Sequence, residues 1–268
     1  MNKSLFSLLR YFIFIYLIIN SSFSIAQKLP NLQTTSIRIP KSLKIDGQAT
    51  EWGNKFQAYN HSTDVFYSIA NNEKYLCIII QATDVDILKK IIRGGLTISI
   101  NPKENGYGSN CKAIQFPLIK LTDEAKLNYV LAEIKELKST TSKSDKKRDS
   151  LVKVYNAFLQ SISKEIKIST RYSTPDSTLS IYNDKGISVG GALDNNTLLT
   201  YEFKIPFEAL DIPYVKTRKI HYNVKLNGRY AMPSVKPAGV YAVSAYTVTN
   251  VSLSLFSPTD FWGEYELL

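Results

Sequence analysis

Along most of the chain, short β-prone apolar runs recur between polar turn residues, which is the pattern of strands. Such runs are Ile37 to Ile39, Leu43 to Ile45, Val65 to Ala70, Tyr75 to Ala82, Leu96 to Ile100 and Ala113 to Lys120. Asn71-Asn72-Glu73-Lys74 reads as a hairpin loop. The segment from Asn101 to Gly106 ends another strand, because Pro102 cannot donate to a ladder and Asn and Gly tolerate left-handed turns. The period then changes. Leu127, Val130, Leu131, Ile134 and Leu137 fall three and four apart, with Asp123 and Glu124 in the first turn and Lys135 and Lys138 near the end, which predicts an amphipathic helix. After a polar stretch from Ser139 to Asp149, a second stripe (Leu151, Tyr155, Phe158, Leu159 and Ile162) completes a helical hairpin.

Strand patterns resume at Glu165 to Tyr172, Thr178 to Tyr182, Ile187 to Leu193, Leu198 to Ile205, Ile220 to Asn227, Val240 to Thr249 and Phe261 to Leu267. Asn183 to Gly186 and Asp194 to Asn196 read as tight turns between neighbouring antiparallel strands. About a dozen strands without βαβ alternation predict a mainly β fold. Its expected form is a two-sheet antiparallel sandwich of jelly-roll or immunoglobulin type, with the helical hairpin inserted at about residues 121–165. A single domain over 37–268 follows, preceded by a polar leader at 27–36.

Residues 1–26 add a location. Lys3 and Arg10 precede the apolar run Tyr11 to Ile19, and Ser24-Ile25-Ala26 forms a small-x-small site before Gln27, so a cleavable secretory signal peptide is predicted. No later apolar stretch is long enough to span a bilayer, and the expected home is periplasmic, cell-surface or secreted. Cleavage lowers the net charge of +10 by two. A basic exported chain suits an anionic envelope surface as partner, and the charge also serves solubility. Nucleic acid is not expected, since no RRM-type, zinc-finger or helix-turn-helix signature occurs. Composition agrees with sheet: 17 Tyr and 12 Phe stand against 2 Trp and 2 Met. Cys77 and Cys111 are the only cysteines, and the compartment permits either a bridge or buried thiols.

The residues that would carry catalysis are sparse. His61 and His221, the only histidines, have no ligand spacing and read as structural. Gly190-Gly191 lacks the lysine and helix start of a phosphate cradle. Glu51, Asp64, Asp84, Asp86, Glu202 and Asp260 could supply acid and base, but no spacing pairs them, and no enzyme is predicted. Asp84 and Asp86 could ligate calcium from a loop. The glycine and terminal glutamate of an EF-hand loop are missing, which favours a solvated turn.

Five ordered segments carry a family resemblance: Lys44-Ile45-Asp46-Gly47 with Glu51-Trp52-Gly53; Val65 to Asp84; Gly94 to Asn101; Tyr201 to Leu210, containing Glu202 and Ile205-Pro206-Phe207; and Asp260-Phe261-Trp262-Gly263-Glu264-Tyr265. Together they resemble the family 9 carbohydrate-binding modules and their DOMON-like sugar- or haem-binding relatives. The resemblance implies a non-catalytic β-sandwich that binds glycan or envelope polysaccharide. Asp46, Gly47, Trp52, Glu202, Pro206 and Trp262 fall in its framework segments, so both tryptophans are expected to pack in the core. Sugar contact then falls to tyrosines and polar side chains: Tyr107 in a glycine-flanked loop, Tyr172 and Tyr182, and Asn223, Asn227 and Arg229 in phase along one strand face. Alternatives are a structural or protein-interaction sandwich without a sugar site, and a haem carrier. No cofactor is expected, because Met232 and His221 show no spacing that asks for haem.

Overall fold

The computed structural model describes residues 28–103, 105–108, 110–139, 145–170, 173–228 and 257–268. The predicted signal peptide, the predicted strand Val240 to Thr249 and Met232 lie outside them. Twelve strands are present among the described residues: β1 (Ile37–Arg38), β2 (Ala58–Asn60), β3 (Val65–Asn71), β4 (Tyr75–Ala82), β5 (Leu96–Asn101), β6 (Lys112–Phe116), β7 (Glu165–Thr170), β8 (Ser173–Ser180), β9 (Ser188–Leu193), β10 (Leu199–Pro206), β11 (Lys219–Leu226) and β12 (Thr259–Glu266). Three α-helices accompany them: α1 (Val85–Gly94), α2 (Glu124–Ser139) and α3 (Asp145–Ile162).

The strands form two six-stranded sheets. The first runs β1-β3-β4-β10-β9, with β2 also paired to β3, and the second runs β12-β11-β5-β6-β7-β8. All ladders are antiparallel except β1 on β3. The sheets face each other across one apolar core. From the first come Leu76, Ile78 and Ile80 of β4 and Tyr201, Phe203 and Ile205 of β10; from the second come Ile98, Val224 and Phe261. Tyr67 and Tyr222 meet hydroxyl to hydroxyl at 2.9 Å across the layers, so neither phenol is buried without a partner.

The opposite face of β4 is buried as well. Cys77 and Ile79 pack there with Ala49, Trp52 and Ala70 in a second cluster. Burial on both faces explains why β4 is an unbroken apolar run instead of an alternating one. The predicted helical hairpin is present, and Leu127, Leu131, Ile134, Leu137, Tyr155 and Leu159 join the main core. Asn156 of α3 fastens it to β9, donating to the Leu193 carbonyl and accepting from the Leu193 amide, both at 2.8 Å.

Several expectations are corrected. Leu43 to Ile45 is not a strand; it crosses the outside of the first sheet, where a Cβ on Gly190 would lie 2.6 Å from the Ile45 carbonyl oxygen. The acidic turn after β4 is instead the start of α1, whose Leu88, Ile91 and Ile92 are buried at helical spacing. Helix α3 begins at Asp145, inside the stretch read as polar linker. Asn183 to Gly186 does not join sheet neighbours, because β8 and β9 belong to different sheets. The leader is not merely polar lead-in: Gln33 is buried, and its side chain bonds both the amide (2.7 Å) and the carbonyl (2.8 Å) of Ile69 as a neighbouring strand would.

The C-terminal residues meet Ser36, Ile37 and Asn71 at one corner. Ser36 Oγ donates to the Glu266 carbonyl, and the Tyr265 hydroxyl lies 3.1 Å from both the Ile37 carbonyl and Asn71 Oδ1. The Leu268 amide donates to the same Asn71 oxygen at 3.1 Å. Among the described residues, no helix is long and apolar enough to cross a membrane.

Candidate functional site

Three of the framework residues, Asp46, Gly47 and Trp52, converge on the buried carboxylate of a fourth, Glu202. Alternation along β10 sends Tyr201 and Phe203 into the core and Glu202 to the outer face, where it is fully buried. Its Oε2 accepts from the amides of Asp46 (3.0 Å) and Gly47 (2.9 Å), and its Oε1 from Trp52 Nε1 at 2.9 Å. Gly47 adopts φ +80°, and a Cβ there would meet the β9 backbone at 2.2 Å, so only glycine lets the loop lie this close. Burial pushes the Glu202 carboxyl up to about 7 against the three donors, which pull it down. Trp52 is packed, as expected, but over the outer face of the first sheet, not between the sheets. Pro206 ends β10. This constellation holds a loop on a sheet and leaves the carboxylate no room for a substrate.

A second group of residues lies on the outer face of the other sheet. Trp262, expected in the core, is half-buried there because it alternates with Phe261, which takes the core position on β12. The ring of Tyr107 stands edge-on to it, with centroids 5.0 Å apart at 76°. The Tyr107 hydroxyl donates to Asn223 Oδ1 at 2.9 Å; Asn223 Nδ2 in turn donates to Asp260 Oδ2 at 2.7 Å and to the Phe261 carbonyl at 3.0 Å. Burial, with the nearby Asp260 carboxylate, pushes the Tyr107 phenol up to about 12, so it stays protonated as a donor. Asn223 is itself fully buried, with Trp262 of β12 opposite it on one side and Ser99 of β5 on the other. Ser99 Oγ is buried without a hydrogen-bond partner.

Of the residues chosen from sequence, Tyr107 and Asn223 are therefore brought together, and the others are not. The Asn227 side chain is spent on structure, donating to the carbonyls of Gly94 (3.0 Å) and Gly95 (3.2 Å) at the end of α1 and accepting from Thr97 Oγ1. Tyr182 is 80% exposed in the turn after β8, at the edge of the second sheet, beside Lys164. Tyr172 and Arg229 lie outside the described residues. Trp262 and Asp260, read as framework and as an unassigned carboxylate, complete the ring pair; strict alternation from Phe261 was the signal that could have placed them on an outer face.

Asp84 and Asp86 have other duties. Asp84 caps α1, its Oδ1 accepting from the amides of Asp86 (2.8 Å) and Ile87 (3.1 Å), and Asp86 pairs with Lys89 at 3.7 Å. Among the described residues no three His, Cys, Asp or Glu side chains gather as metal ligands. Cys77 and Cys111 are not joined: both are buried, Cys77 against the first sheet and Cys111 just before β6 of the second. Compared with protein-family models the chain matches none, and no curated protein matches it either.

Proposed function

We propose that the chain is an exported, non-catalytic β-sandwich module that binds glycan or envelope polysaccharide through the outer face of its second sheet. The sandwich is read as the jelly-roll or immunoglobulin type. The observation that carries the reading is the ring pair Tyr107 and Trp262, half-open to solvent and fixed by Asn223 beside the exposed Asp260 carboxylate. Aromatic rings cover the C–H face of a sugar while neighbouring polar groups take its hydroxyls. A platform already held by hydrogen bonds gives up little side-chain freedom on binding. A net positive chain adds attraction to an anionic envelope.

The test is retention on insoluble polysaccharides together with a glycan array, using the wild type, Trp262→Ala and Tyr107→Ala, with folding checked by far-UV circular dichroism. Binding by the wild type and a roughly tenfold or greater weakening in both variants, about 1.4 kcal/mol, is expected. Equal binding by folded variants would remove this face from the site. No binding by the wild type to any polysaccharide would leave a structural or protein-interaction sandwich.

A further inference from the structure

At the open edge of β9, away from the Trp262 face, a cleft of about 210 Å³ lies between that strand, the end of α3 and the Ile45–Asp46 loop. Two adjacent glycines shape it. A Cβ on Gly191 would fall 2.2 Å from the Tyr201 ring, so the missing side chain lets that ring lie across the strand towards the edge; Gly190 does the same for the Ile45 carbonyl on the other face. Tyr201 is buried, with only 4% of it exposed, but its hydroxyl is not sealed in: no group among the described residues bonds it, and it opens on the cleft that the residue lines. Burial alone pushes that phenol's pKa up.

The strand edge contributes more. Leu193 turns its amide and carbonyl away from β10, and Asn156 takes both. Alternation of an antiparallel ladder turns those of Gly191 the same way, where no described protein group takes them. A phenol hydroxyl and a peptide unit, both facing the cleft and neither taken by a described protein group, offer bonds that a ligand can take in place of water.

The geometry points to this cleft as a second ligand site, for one neutral, hydroxyl-rich ring such as a single sugar or cyclitol. Its volume falls below the about 300–1,000 Å³ of sites for drug-sized molecules. Phenol, peptide amide and peptide carbonyl offer donors and acceptors in turn, which hydroxyls match because each both gives and takes a hydrogen bond. Phe116 and Leu159 line it with apolar surface, and the exposed Tyr182 ring stands at its mouth. Asp46 and Lys164 both line it, and their opposite charges favour neither an anion nor a cation. The site shares a ligand class with the Tyr107–Trp262 face but does not depend on it.

The experiment uses saturation-transfer NMR and calorimetry with a panel of glucose, galactose, mannose, xylose and myo-inositol on the wild type, Tyr201→Phe, Tyr182→Ala and Trp262→Ala. At least one panel member binds the wild type and Trp262→Ala equally, and binds Tyr201→Phe at least about tenfold more weakly. The ligand-free Tyr201→Phe protein melts no lower than the wild type, because the lost hydroxyl had no partner. No binding by the wild type, unchanged affinity in Tyr201→Phe, or a lowered melting temperature of that variant overturns the proposal. Should Tyr201→Phe not fold, unchanged affinity in Tyr182→Ala overturns it and weakened affinity supports it. Polysaccharide retention lost in Trp262→Ala while ring binding persists separates this site from the other face.

Discussion

Replacing Glu202 by glutamine tests how the loop carrying Asp46, Gly47 and Trp52 is held. Three N–H groups converge on two carboxylate oxygens, two of them on Oε2. Glutamine has one accepting oxygen, so in either orientation its amide NH₂ faces a donor and at least one buried N–H loses its partner. That costs about 1–3 kcal/mol. The carboxylate has a cost of its own. Burial outweighs the three donors and raises its pKa from 4.5 to about 7. Between those values the native state holds a proton that the unfolded chain releases, so stability falls as pH rises through this window. The raised pKa corresponds to about 3 kcal/mol, fully present below pH 4.5 and lost above about pH 7. Urea unfolding followed by far-UV circular dichroism at pH 4.5, 6 and 8 gives the comparison, because the glutamine variant lacks this titration. The wild type's advantage over Glu202→Gln is expected to shrink by about 3 kcal/mol from pH 4.5 to pH 8. A constant difference would mean that Glu202 titrates as an ordinary carboxylate. A growing one would mean that the hydrogen bonds dominate burial, and the reasoning would fail.

Three further outcomes follow from the structure. Asp84→Ala removes the cap of α1 and should cost about 1 kcal/mol in urea unfolding; no loss would return Asp84 to the solvated turn read from the sequence. Ser99→Ala deletes a buried hydroxyl that bonds nothing and should leave stability unchanged or raise it by up to about 1 kcal/mol, whereas a loss above that would reveal a partner. Alkylation of the denatured, unreduced protein should modify both Cys77 and Cys111, and a mass without two adducts would contradict their separation on different sheets.

Strands, the helical hairpin and the mainly β class were legible because their periodicities are local and strong. Tyr75 to Ala82 appears where its unbroken β-prone run puts it, and Leu127 to Leu137 where three-four spacing does. Helix α1 was missed because it is short and its Asp84-Val85-Asp86 start resembles a turn; the cap is the same chemistry in a different context. Partnership between distant segments was the harder part. The Glu202 constellation joins residues about 150 positions apart, and segment order hinted at it without giving a distance. Tyr107 and Asn223 were each chosen for their chemistry, but only the register of β11 against β12 puts Trp262 beside them. Tyr201 and Gly191 were invisible as a site, since a buried tyrosine and a glycine doublet in a strand read as packing until the hydrogen-bond account is closed.

The corner at Asn71 has a mechanical consequence. One amide oxygen receives the last residue of the chain, and β1 enters the first sheet beside it while β12 closes the second. A pull on the C-terminal residue arrives at this clasp first, whereas one from the N-terminal side meets the bonds of Pro30, Asn31 and Gln33 to β2 and β3 before it. On the C-terminal side Leu268, Tyr265 and Ser36 carry the first bonds to bear the load.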